Sequence, residues 1–117
     1  MILVDTSVWV DHLRQTEPAL VQLLNNGLVL MHPFIRGELA CGNLKDQRKL
    51  LSDLAVLPAA KTASTEEVLD LIELRKLSGL GLSWIDVHLL ASALLSNARL
   101  WTIDKRLHDS ASQLRLV

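Results

Sequence analysis

Residues 1–10, MILVDTSVWV, set the fold class, because they join a short apolar run directly to the start of a helix. Residues 2–4 (Ile-Leu-Val) show no polar alternation, which is typical of a strand buried on both faces. Residues 5–7 (Asp-Thr-Ser) are side chains that favour the N-terminal cap of a helix. The stretch therefore predicts a buried strand followed at once by a helix.

The same order of strand and helix recurs along the chain. Further strands are predicted at residues 28–31 and 100–103, with a weak candidate at 56–57 and a last strand at 114–117. Helices are predicted from the spacing of apolar residues and from cap residues, Pro and Gly at their ends. They cover about residues 8–13, 18–25, 33–41, 46–54, 65–77 and 83–97, and a short one begins at 104.

Short apolar strands separated by helices imply a parallel sheet that is covered on both faces. Right-handed crossovers place the carboxyl ends of such strands along one edge, where open α/β sheets bind their ligands. We therefore predict an α/β fold with three layers, α/β/α, around a central parallel sheet. Because 117 residues are too few for two domains, residues 1–117 are predicted to form a single domain.

The composition restricts the class of protein. Tyrosine is absent and phenylalanine occurs once, so the core is predicted to be aliphatic, with the tryptophans inside it. Base stacking on an aromatic platform is therefore poorly supported. The lone Cys41 forms no internal disulfide, which fits a reducing compartment. With no signal peptide and no apolar run near the roughly 20 residues of a membrane span, we expect a soluble, cytoplasmic protein.

The formal net charge is −1, which argues against a protein that holds nucleic acid through overall positive charge. Metal bound to several carboxylates would neutralise part of the acidic total. The charge balance therefore leaves nucleic acid open as a partner without supporting it.

Four acids stand where a site is expected. Asp5 and Asp104 each follow a predicted strand directly, so in one parallel sheet their carboxylates would emerge at the same edge. Asp86 lies in the first turn of the most apolar helix, and Glu38 lies mid-helix among apolar residues. A charge at the border of a buried helix face needs a partner or a metal ion, because an unpaired buried charge is costly.

Carboxylates brought close together repel one another, and some protonate unless a cation neutralises them. Mg²⁺ and Mn²⁺ are hard cations that prefer such oxygen ligands. An ion of this kind lowers the pKa of a bound water and stabilises the charge that builds on a phosphate during displacement. Carboxylates, metal and a phosphodiester substrate thus form one consistent chemical hypothesis.

Each acid also has a structural interpretation. Asp5 and Asp104 fit helix N-caps, and Asp86 fits the reciprocal partner of Ser83 in a capping box. Glu38 fits a solvated or salt-bridged helix residue. The four histidines show no metal-ligand spacing and are predicted to be packed or partly exposed. From the residues alone, a clustered site and a set of helix caps both stay open.

Four segments, taken in order, resemble the PIN-domain family, and more closely its VapC-type toxins. They are VDTSVWVDHL (4–13), RGELACG (36–42), SWIDVHLLASAL (83–94) and LWTIDKRL (100–107). Together they extend from the first predicted strand to the final helix. The resemblance implies a parallel sheet flanked by helices and an acidic site that binds Mg²⁺ or Mn²⁺. The implied activity is endonucleolytic cleavage of RNA.

Carried over by motif, the resemblance assigns Asp5, Glu38, Asp86 and Asp104 as the catalytic and metal-binding acids. Asp104 would act directly or through water. Thr6, Ser7 and Thr102 occupy positions where the family has hydroxyls. The implied partners are RNA, a cognate antitoxin and a second copy of the chain.

Three other functions stay open. One is a PIN nuclease of RNA processing or decay that works without an antitoxin. Another is a non-catalytic α/β binding module whose acids serve as helix caps. A phosphatase with an aspartate nucleophile is less well supported, because Ser7 occupies the second position of the usual D-x-D pair.

Overall fold

Three short strands alternate with seven helices in a computed structural model that describes residues 1–117. The strands are β1 (Ile2–Val4), β2 (Val29–Leu30) and β3 (Arg99–Trp101). The helices are α1 (Thr6–Arg14), α2 (Pro18–Asn25), α3 (Pro33–Ala40), α4 (Gln47–Ala55), α5 (Thr65–Arg75), α6 (Trp84–Leu95) and α7 (Lys105–Gln113).

The strands form one parallel sheet in the order β2-β1-β3. Ile2 pairs with Val29 on one side and with Arg99 on the other, so the three strands are in step. All three therefore end at one edge, called the carboxyl edge below. The predicted parallel sheet within a three-layer α/β/α fold is confirmed.

Several helices begin at the carboxyl edge. Helices α1 and α3 start two and three residues after the ends of β1 and β2. Helix α6 packs against β1 and β3 and leads into the start of β3, so its C-terminus lies at the opposite edge. At ~1.5 Å per residue, its 12 residues extend past strands that rise ~3.3 Å per residue. The first turn of α6 therefore lies at the carboxyl edge.

The core is aliphatic, as the composition predicts. Trp9 is the one aromatic side chain among its 24 buried hydrophobic residues. Every residue from Val87 to Ala93 in α6 is buried, so this helix is enclosed on nearly all sides. Even so, neither α6 nor any other helix is both long enough and apolar enough to cross a membrane.

The predicted strand at residues 114–117 is wrong. Leu114 ends α7, and Arg115 takes a left-handed conformation with φ of 60°. The amide of Leu116 then closes the helix end on the Ala111 carbonyl, at 2.8 Å. One backbone bond to the sheet remains, from the amide of Leu100 to the Leu116 carbonyl, at 2.6 Å.

The weak strand candidate at residues 56–57 is also wrong. Val56 is the C-cap of α4, and the amide of Leu57 still bonds to the Leu54 carbonyl. A parallel bridge to the sheet forms slightly later, between Met31 and Ala59. Val56 and Leu57, which their apolar character assigned to a strand, instead form the C-terminal end of α4.

Candidate active site at the carboxyl edge

Asp5 occupies the centre of the carboxyl edge. Its residue is only 7% exposed, and its amide bonds to the Trp101 carbonyl at 2.8 Å, which ties it to β3. It holds the N-cap position of α1, yet its side chain caps no amide. Instead Oδ2 accepts hydrogen bonds from Ser7 Oγ and Thr102 Oγ1, both at 2.8 Å. The interpretation of Asp5 as a side-chain cap is therefore wrong.

Ser7 and Thr102, called the hydroxyl pair below, also hold the turn that follows β3. A hydroxyl has one proton, and in both residues it is directed at Asp5. Towards the turn both hydroxyls therefore act as acceptors. Thr102 Oγ1 accepts from the Asp104 amide at 3.0 Å, and Ser7 Oγ accepts from the Ile103 amide at 3.3 Å. The ends of β1 and β3 are thereby fixed to each other.

Asp104 is exposed and caps α7. Its Oδ1 accepts from the Leu107 amide at 3.0 Å, so the N-cap prediction is confirmed for this acid. Its other carboxylate oxygen accepts no hydrogen bond from the protein. Asp104 thus combines a structural role with one carboxylate oxygen that has no donor from the protein.

Glu38 reaches the same region from α3. Its Oε1 accepts from Thr6 Oγ1 at 2.7 Å, and Thr6 follows Asp5 in the chain. The side chain is exposed and takes part in no salt bridge. Glu38 is therefore held beside Asp5 through one hydroxyl.

Asp86 is the acid that no contact joins to the others. Its Oδ2 accepts from the Ser83 amide at 2.9 Å, and Ser83 Oγ accepts from the Asp86 amide at 3.0 Å. The predicted capping box is confirmed. Thr102 links the Asp5 carboxylate to the backbone amide of Asp104, and Thr6 links Glu38 to the residue next to Asp5. No three Asp, Glu, His or Cys side chains lie close enough to hold a metal ion. A four-acid metal site stays a prediction.

No cation of the protein balances these acids. The chain has two salt bridges, Lys49–Asp53 at 3.1 Å and Lys105–Asp109 at 3.5 Å, both on the surface. Asp5 is therefore buried beside two hydroxyls and the N-terminus of α1, without a cationic side chain. A positive charge brought to this edge would meet oxygen atoms with no competing partner.

Two histidines pack beside the site, as predicted for packed side chains. His32 is 1% exposed, and its Nδ1 accepts from the Phe34 amide at 2.9 Å, which caps α3. Its Nε2 is buried without a hydrogen-bond partner. Burial, and secondarily the nearby His88, lowers the pKa of His32 to about 4. Burial also lowers the pKa of His88.

The structure also shows two side chains that sequence reasoning did not assign to the site. Trp84 is 43% exposed and Phe34 is 37% exposed. The expectation that every tryptophan lies in the core is therefore wrong for Trp84. Its signal in the sequence is its place in the first helical turn after the Ser83 cap, where α6 extends beyond the sheet.

Comparison with known proteins agrees with this architecture. A profile of the PIN domain family matches residues 2–112. The chain is 45% identical over 114 residues to Ribonuclease VapC32 of Mycobacterium tuberculosis, in both strain CDC 1551 / Oshkosh and strain ATCC 25618 / H37Rv. Each alignment covers 97% of this chain and 92% of the relative. The chain therefore belongs to the PIN domain family.

Proposed function

We propose that this chain is a divalent-metal-dependent endoribonuclease and the toxin of a VapBC-type toxin–antitoxin pair. The observation that carries the proposal is the Asp5 carboxylate, which is buried at the carboxyl edge without a cationic partner. Thr102, which donates to Asp5, accepts from the backbone amide of Asp104, and Thr6, which follows Asp5, donates to Glu38. Membership of the PIN domain family and similarity to a relative named as a ribonuclease support the same activity.

The donor set fits Mg²⁺ or Mn²⁺. Both hydrogen bonds that Asp5 accepts end on Oδ2, so Oδ1 is left for another ligand. Glu38 and Asp104 likewise each keep one oxygen without a protein donor. Mg²⁺ binds through one or two carboxylates and keeps several waters, so it does not require a closed set of protein ligands. A bound ion would supply charge that stabilises the phosphate and lowers the pKa of the attacking water.

The other residues of the site orient these acids. The hydroxyl pair fixes the rotamer of Asp5, because both donors converge on one of its oxygens. Thr6 orients Glu38 in the same way from α1. We include Asp86 as a fourth acid, since the first turn of α6 lies at the same edge and its second oxygen is free of the capping box.

RNA, a cognate antitoxin and a second copy of the chain are the partners that we propose. A segment of the antitoxin that covered the carboxyl edge would exclude RNA from it. This arrangement predicts that addition of the antitoxin stops cleavage without dissociation of a dimer. Growth arrest on expression of this chain alone, relieved by its genomic neighbour, would separate the toxin from a PIN nuclease that has no antitoxin.

The direct test is cleavage of tRNA and rRNA by the purified protein in Mg²⁺, in Mn²⁺ and in EDTA. We expect cleavage only with metal, and none by Asp5→Asn. Asp70→Asn is the matched control, because Asp70 is an exposed acid on α5 without a salt bridge. Cleavage that persists in EDTA, or in Asp5→Asn, would overturn the proposal. A lack of cleavage under every condition would favour the binding module.

A further inference from the structure

Large aromatic side chains are scarce in this protein, and half of them are exposed. The chain has three tryptophans, one phenylalanine and no tyrosine. Trp9 is 2% exposed and Trp101 is half-buried. Phe34 and Trp84, called the aromatic pair below, are the two exposed rings. A fold that uses aliphatic side chains for its core thus presents its remaining aromatics to solvent.

Both rings of the aromatic pair contact His88. The ring centroids of Phe34 and His88 are 4.8 Å apart, and those of Trp84 and His88 are 4.6 Å apart. Both contacts are edge-to-face, with interplanar angles of 64° and 82°. His32 contacts Phe34 from below, at 5.0 Å. Because both histidines are buried, the exposed rings rest on a fixed base.

The aromatic pair lies at the same edge as the acids. Phe34 is one helical turn before Glu38 on α3, and side chains four residues apart share a helix face. Trp84 is in the first turn of α6 with Asp86. Since α3 begins directly after β2 and the first turn of α6 lies at the carboxyl edge, both rings lie at this edge, with Phe34 on the face of α3 that carries Glu38.

We propose that Phe34 and Trp84 form a stacking platform for a base of single-stranded RNA, next to the phosphate that is cleaved. This inference rests on the proposed function, in that it takes RNA as the substrate. Unpaired RNA bases stack on aromatic rings, and such stacking tolerates any base because every base has a π-face. Rings fixed by the two histidines lose little freedom when a base binds. The platform would position the backbone of the RNA over Asp5 and its neighbours.

The scarcity of aromatics alone argues against stacking, but two of the four large aromatic rings are exposed. What matters is where the rings lie, and two exposed rings at the site suffice for one base. An apolar segment of a protein partner is the competing occupant of these rings. RNA and a protein segment can be distinguished by experiment. If the rings stack on a base, the affinity for an oligonucleotide depends on whether it carries bases.

The test measures binding to a variant that is not expected to cut. In an Asp5→Asn background, Phe34→Leu and Trp84→Leu are titrated against a labelled adenosine decamer and a matching abasic ribose-phosphate decamer. We expect each substitution to weaken binding of the adenosine decamer by about 10-fold, as the loss of one stacking contact predicts. Binding of the abasic decamer is expected to stay unchanged. Trp84→Phe keeps a ring and is expected to restore most of the affinity.

Leu69→Ala is the matched control. Leu69 on α5 is 46% exposed, a fraction similar to the 43% of Trp84, but it has no ring. Its affinity for both decamers is expected to match the parent. Equal losses on both decamers, no loss on either, or no measurable RNA binding would overturn the platform. Because the readout is binding by uncut complexes, a failure of the cleavage experiment and a failure of the platform remain distinguishable.

Discussion

The carboxyl edge has two halves, and each contains a buried titratable side chain with a different hydrogen-bonding environment. In the acid half, Asp5 is buried with two hydroxyl donors on one oxygen. In the aromatic half, His32 is buried with one ring nitrogen satisfied and the other without a partner. The first arrangement supports a negative charge, whereas the second excludes a positive one. The edge therefore offers an anionic surface beside an uncharged, ring-lined one, and the anionic half would hold a phosphate only through a bound cation.

The largest effect is expected from the acids themselves. Asp5→Asn keeps the shape of the side chain but removes its charge, so cleavage should fall by at least about 1,000-fold, to a level at which none is detected, which corresponds to several kcal/mol of transition-state stabilisation. Asp104→Asn should cost less, since Asp104 is exposed and already caps α7. Rates of RNA cleavage at saturating Mg²⁺ measure the difference. Equal losses in the two variants would show that burial does not separate their roles.

The aromatic half predicts a dependence of stability on pH. The folded-state pKa of His32 is about 4, below the ordinary value near 6.5, so the unfolded chain binds the proton more readily. Neutral His32 therefore contributes to the free energy of unfolding. This contribution is fully present above pH 6.5 and is lost as the pH falls towards 4, by on the order of 3 kcal/mol. His88 faces His32 and shifts in the same direction, so it adds to the slope.

Urea unfolding between pH 7.5 and 4.5 measures this dependence. His32→Asn is the matched variant, because Asn is a good N-cap and does not titrate. The slope of the unfolding free energy against pH reports how many protons are taken up on unfolding. We expect this number to be about one smaller for His32→Asn than for the parent. Parallel curves for the two proteins would show that His32 is not the group excluded from protonation.

The hydroxyl pair provides the next comparison. Thr102→Val keeps the volume but removes one donor to Asp5 and the acceptor of the Asp104 amide. We expect a loss of ~1–3 kcal/mol of unfolding free energy, together with weaker cleavage. Ser7→Ala should cost less stability, because Ser7 is only partly buried. Chemical denaturation and cleavage rates check both variants, and a larger stability loss for Ser7→Ala would reverse the assignment.

The smallest effect on stability is expected at the two capping boxes. Ser64 with Glu67 begins α5, and Ser83 with Asp86 begins α6. Glu67→Gln and Asp86→Asn should each lower stability by no more than ~1 kcal/mol, as other changes at helix caps do. Only Asp86→Asn should reduce cleavage, because of these two helices α6 is the one whose first turn lies at the carboxyl edge. If both variants kept full activity, Asp86 would be a helix cap and nothing more.

Much of the fold was predictable because it is encoded locally. The apolar run at residues 2–4 and the Ser83–Asp86 capping box depend on side chains within a few positions, so pattern and composition suffice. The failures lie where a helix end competes with a strand, as at Leu116, whose amide is taken by α7. The resemblance of four ordered segments to one family added the site residues, which residue patterns alone left open.

Residue patterns and the four ordered segments were sufficient to predict the parallel α/β fold, the aliphatic core, most of the helix starts and the family. Tertiary structure decided which acids are joined and how, because the bond from Thr102 to Asp5 spans 97 positions of the chain. It also decided that Asp5 is held by hydroxyls, whereas Asp104 caps a helix, although both follow a strand. The exposure of Trp84 likewise depends on how far α6 extends beyond β1 and β3. Contacts between distant segments set burial and charge balance, and local patterns do not contain them.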